Sequence, residues 1–111
     1  MIRAILYHAG GHYTGFSAKG HSGYAEEGSD IVCAAVSSLT ITCVNSLEAL
    51  CGVKAVGPKV RSGALAFDLP APTDENVHDT DLLMGALGQG LQDLAEQYPE
   101  NIQFSKEERR K

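Results

Sequence analysis

The spacing of apolar residues changes abruptly at Asp30, and that change limits the folds open to the chain. Beyond it Val32, Val36, Leu39, Cys43, Leu47 and Leu50 recur three and four residues apart, which is one stripe of an α-helix. Asp30 is a preferred N-cap residue, leaving Ile31, Val32 and Cys33 as the first helical positions. Gly52 is the natural stop. The segments before it are short and strand-like. Met1–His8 is rich in strand formers and ends at Gly10-Gly11. Tyr13–Gly20 alternates, with Thr14, Phe16 and Ala18 on one face and Ser17, Lys19 and His21 on the other. Lys54–Arg61 and Ala64–Leu69 flank Ser62-Gly63 as a second hairpin. Its core face is expected to carry Leu65, Phe67 and Leu69, and Pro58 suits an edge or a bulge. Pro70 and Pro72 mark a break, and a second helix then runs from Asn76 to Tyr98. Met84, Leu87, Leu91, Leu94 and Tyr98 form its stripe, and Pro99 ends it. Ile102 and Phe104 suggest a short last strand. The order β-β-α-β-β-α-β predicts an α+β fold: two layers, with a mixed, mostly antiparallel sheet and both helices on one face.

The 111 residues are read as a single domain over residues 1–111, large enough to build a core without a metal or disulfide staple. A net charge of −5 argues against a general phosphate-binding surface, which demands clustered Lys and Arg, so no direct nucleic-acid binding is expected. The one basic cluster, Lys106–Lys111, also holds Glu107 and Glu108 and reads as a solvated end. No run approaches the eighteen or so apolar residues of a membrane span. The first eight residues make too short an apolar core for a signal peptide, so a cytoplasmic protein is expected. Three cysteines, none in a Cys-x-x-Cys pair, fit a reducing compartment.

Chemistry concentrates in one stretch. Gly20-His21 places an imidazole at the end of a strand, and Cys33 follows twelve residues later in the first turn of the helix. A free thiol is only a few per cent ionised at neutral pH, and a helix N-terminus and a neighbouring imidazolium both favour the thiolate. The same imidazole can protonate a leaving amine, and N–H groups at the helix start can stabilise an oxyanion. Plainer roles stand beside these. Cys33 is also compatible with a small buried apolar residue, His21 with a polar strand end, and Asp30 with the helix cap. Ser37 lies one turn beyond Cys33 on the same face, placed to bond backbone, thiol or substrate. Cys43 and Cys51 read as core. A zinc set of His8, His12, His21 and Cys33 lacks the close ligand pairs such sites use, so no metal and no cofactor is expected. Gly85, Gly88 and Gly90 echo a dinucleotide fingerprint but lie inside a helix, where they favour close approach of a neighbouring helix or subunit.

Gly20-His21, Gly28 and Asp30-Ile31-Val32-Cys33-Ala34-Ala35-Val36-Ser37 together resemble the signature of the bacterial ribosomal-processing cysteine proteases, the Prp family. The resemblance extends to chain length and element order. It implies a cysteine endopeptidase with a histidine–cysteine dyad mapping to His21 and Cys33, supported by Gly20, Asp30 and Ser37. It implies a homodimer whose protein substrate is the precursor of a large-subunit ribosomal protein, the one numbered twenty-seven, from which an N-terminal extension is removed. A loop that orders over substrate would be Ser22–Ser29, with Ser22, Gly23, Gly28 and Ser29 as its marked positions. The residue after the histidine is commonly alanine in the family and is Ser22 here. Two other classes remain: a non-catalytic ribosome-associated binder on the same scaffold, and a thiol-redox protein using Cys33.

Overall fold

Alternating residues of Ile2–Ala9 and Ala64–Asp68 turn inward, the two-residue pattern of a sheet with one face buried, whereas every residue of the edge strand, Val56–Arg61, is exposed. In the computed structural model, which describes residues 1–26 and 30–109, the strands are β1 (Ile2–Ala9), β2 (His12–Lys19), β3 (Val56–Arg61), β4 (Ala64–Asp68) and β5 (Ile102–Glu108). The helices are α1 (Ile31–Cys51) and α2 (Val77–Gln97). The sheet order is β3-β4-β2-β1-β5. All its pairings are antiparallel except β1 with β5, which is parallel. The α+β architecture and element order are as the sequence predicts.

Register carries one set of side chains to one face. Ala4 pairs with Ala18 and Phe104, Leu6 with Phe16, Phe16 with Phe67, and Ala18 with Leu65. These meet Val32, Val36, Cys43 and Leu47 of α1 and Met84, Leu87 and Leu91 of α2 in a single core. Fully burying side chains such as Leu6, Phe16 and Leu47 contributes about 1.5–3 kcal/mol each. Gly88 and Gly90 of α2 act within the chain, whereas a Cβ on Gly85 would meet nothing within 4 Å among the described residues. A Cβ on Gly88 would lie 2.8 Å from Leu6 Cδ1, and one on Gly90 would lie 2.9 Å from Leu39 Cδ2. Gly88 therefore lets α2 settle on the sheet, and Gly90 lets it settle on α1. Gly88→Val is expected to destabilise the protein by about 1–3 kcal/mol through overpacking, read as a lower urea midpoint at unchanged m.

Several details depart from the sequence expectations. Leu50 is 74% exposed, because the buried stripe of α1 ends at Leu47 and Gly52 turns the chain in the left-handed region (φ 66°). That turn tucks Val53 into the core instead. Thr40 joins the buried stripe, its hydroxyl donating to the Val36 carbonyl at 2.8 Å. By length and composition α1 is apolar enough to cross a membrane, although no unbroken apolar run announces it; here its stripe is packed in the core. Lys106–Glu108 are exposed, as a solvated end implies, and are also the last residues of β5, paired with Leu6–His8. Arg109 then folds over the outer sheet face, 2.6 Å from Asp68 Oδ1 and 4.2 Å above the Tyr7 ring. Lys54 and Ala55 precede β3, and Pro58 sits in the irregular stretch of that edge strand between Val56 and Lys59.

Candidate active site

His21 follows β2 at a bend that glycine makes possible. Gly20 has φ 102°, and a Cβ there would collide with the Met1 carbonyl. Its N–H donates to the Gly63 carbonyl at 3.0 Å, which fixes the strand end against the β3–β4 turn. Gly63, itself at φ 77°, lies under the imidazole: a Cβ there would stand 2.9 Å from His21 Nε2. The sequence marked Ser62-Gly63 as a turn, and nothing local shows that it also forms the seat of the histidine. The His21 ring is exposed and makes no hydrogen bond among the described residues.

Cys33 is the third residue of α1, half-buried. Asp30 caps this helix, its Oδ1 accepting from the Val32 N–H at 2.9 Å and the Cys33 N–H at 3.0 Å. Its Oδ2 accepts from the Ser22 hydroxyl and from the Ala25 N–H at 3.3 Å. Burial by itself would raise the Asp30 pKa. The Ser22 hydroxyl and the N–H groups of Cys33, Ala25 and Val32 outweigh burial and hold it at about 2. The carboxylate is thus ionised near neutrality. It occupies the Val32 and Cys33 N–H groups, and those two are not available to an oxyanion as the sequence suggested.

His21, Cys33, Ser37, Asp30 and Gly63 line one cavity of about 590 Å³. Its apolar wall is formed by Ile2, Ala18, Val36 and Leu65, and Val60 and Arg61 stand at its margin. Gly20 and Gly23 also border it. Ser22, expected among the substrate-facing loop positions, is instead 2% exposed and turned to the cap, because its hydroxyl bonds Asp30. Gly28 and Ser29 lie outside the described residues. His8 and His12 sit at the opposite end of the β1–β2 hairpin from His21, with His12 Nδ1 2.6 Å from Asp81 Oδ2. The imagined zinc set is therefore not brought together. Asn101, which the sequence did not single out, donates through Nδ2 to the Ser22 carbonyl at 3.0 Å.

The three thiols differ in setting. Burial first, and then the neighbouring Cys51, push the Cys43 thiol up to about 11, and its sulfur lies 3.8 Å from Met84 Sδ. Iodoacetamide near neutral pH is expected to label Cys33 first and Cys43 last, as read by peptide mass mapping. Equal rates at the three positions would contradict a reactive thiol at the cavity.

A thiol in the first turn of a helix shares a cavity with an imidazole from a strand end in this α+β chain, the pairing of groups that a cysteine peptidase uses. The family model described as cysteine protease Prp matches residues 1–103, and the chain belongs to that family. SMU.848 from Streptococcus mutans is similar in its crystal structure, with a TM-score of 0.82 and 32% identity over 98% of this chain and 96% of that one. The ribosomal processing protease Prp from S. aureus, in complex with a covalently linked product peptide, gives a TM-score of 0.83 at 26% identity, covering 96% of this chain and 99% of that one. The same protease with a substrate peptide gives 0.77 at 25%, over the same shares. No curated protein matches the chain at a significant level.

Proposed function

We propose that the chain is an endopeptidase that removes the N-terminal extension of the large-subunit ribosomal protein numbered twenty-seven, using Cys33 and His21 as its dyad. One observation carries this reading: the thiol, the imidazole and the Ser37 hydroxyl line the same cavity. The name of the S. aureus relative, a ribosomal processing protease crystallised with a substrate peptide, supports the substrate class. In the reaction Cys33 Sγ adds to the scissile carbonyl carbon. The proton taken up by His21 passes to the leaving amine as the C–N bond breaks. Water, deprotonated by the same imidazole, then hydrolyses the thioester and restores the thiol. With the Val32 and Cys33 N–H groups held by Asp30, the Ser37 hydroxyl, one turn beyond the thiol, is a side-chain donor on the cavity wall for the developing oxyanion. We place the enzyme in the cytoplasm as a homodimer, a state that sedimentation would report directly.

The test is mass spectrometry on a precursor peptide spanning the extension junction. Two product masses summing to substrate plus water support the peptidase. An intact bound peptide would favour the non-catalytic binder, and a disulfide adduct at Cys33 would favour the redox protein.

A further inference from the structure

His21 presents a mechanical problem. Its ring is exposed and unbonded among the described residues, so its position depends on the backbone at either side. Before it, the Gly20 N–H is tied to Gly63. After it, Ser22 is held twice: its carbonyl accepts from Asn101 Nδ2, and its buried hydroxyl donates to Asp30. The hydroxyl also accepts from the Tyr24 N–H at 3.1 Å. Asp30 in turn accepts from the Cys33 N–H. The link from imidazole to thiol is thus the peptide between His21 and Ser22, one hydroxyl and one carboxylate.

Asn101 is well placed to anchor this link. Its carbonyl accepts from the Ile2 N–H at 2.9 Å, and its own N–H donates to the Tyr98 carbonyl at 2.9 Å. Its backbone is therefore tied to β1 and to the end of α2. Only the amide NH₂ can face a carbonyl oxygen, so the donor role at Ser22 follows from chemistry. Tyr98 also meets Tyr24 edge-on, with ring centroids 5.5 Å apart, steadying the same loop from the same turn.

We propose that Asn101 and Ser22 are positioning residues that clamp the backbone beside His21 to the cap of the helix bearing Cys33, holding imidazole and thiol in reacting register. The inference rests on the reading of those two residues as the reacting pair. Misplacing a reacting group by about 1 Å can cost about a hundredfold in rate, so a modest hydrogen-bond network here has kinetic weight.

Alkylation of Cys33 by iodoacetamide, followed by peptide mass mapping across pH, tests the clamp without needing a substrate. The variants are Asn101→Ala, Asn101→Asp, Ser22→Ala and, as reference, His21→Ala. His21→Ala is expected to slow labelling about tenfold near pH 7, with rates converging in strongly alkaline buffer, where free thiols in general are thiolates. Asn101→Ala and Ser22→Ala are expected to slow it by about threefold to tenfold near pH 7, with the same convergence. Asn101→Asp keeps the size but sets an acceptor against the Ser22 carbonyl, so it should slow labelling at least as much as Asn101→Ala, and it carries the test if the smaller alanine perturbs folding. A merely structural role would lower the melting temperature and leave the pH dependence of labelling unmoved. A shifted profile for His21→Ala with unshifted profiles for the clamp variants overturns the clamp and leaves the dyad. A shift in one clamp residue retains that residue and excludes the other. No shift for His21→Ala overturns the dyad, and the clamp with it.

Discussion

Cys33→Ala is expected to lower kcat for precursor cleavage by about 10⁴-fold or more, because no other group supplies the nucleophile. His21→Ala should fall nearly as far, and the double variant should be little worse than either single change. Groups that act as one unit are strongly non-additive, and this pattern separates a dyad from two independent contributors. Stability should barely move in either single variant. Cys33 is half-buried, and the His21 ring, exposed, makes no hydrogen bond among the described residues. Circular dichroism and a thermal melt next to the cleavage assay would distinguish lost chemistry from lost fold. Cleavage at undiminished rate by Cys33→Ala would end the peptidase reading at this cavity.

Asp30→Ala is expected to damage both stability and activity. Loss of an N-cap costs about 0.5–2 kcal/mol, and here the same carboxylate also gathers Ser22 and Ala25. With the cap gone the loop after His21 loses its tie to α1, and a loss of about a hundredfold in kcat/KM is expected. The pH dependence follows from the direction of the shift. Asp30 is held at about 2 in the folded protein against an ordinary 3.8, so its ionised form stabilises the fold. That contribution is complete above about pH 4 and fades as pH falls toward 2. Urea melts at neutral and acid pH should therefore show the gap between the native protein and Asp30→Ala narrowing as pH drops. A gap that stays constant would remove Asp30 as the source.

Much of this molecule is readable from local pattern, and the misreadings have physical causes. The start of α1 at Asp30 and its stop at Gly52 were legible because a capping carboxylate and a left-handed residue act on their own neighbours. The exposure of Leu50 was not, since periodicity says which face a residue occupies but not how far the neighbouring sheet extends. Arg109 was read as solvated because its partners, Asp68 and Tyr7, are distant in sequence. Val32 and Cys33 looked like free donors because an N-cap's competition for them emerges only once its geometry exists.

The chain by itself determined its element order, its buried faces and the two residues on which the chemistry is staked, because caps, turns and apolar periods act over a few residues. Tertiary structure decided the rest. It set Gly63 beneath His21, turned Ser22 inward to Asp30, and brought Asn101 from the far end of the chain to hold it. Those contacts depend on β2 pairing with β4 and β1 with β5, and long-range register is a property of the whole packed sheet rather than of any one segment.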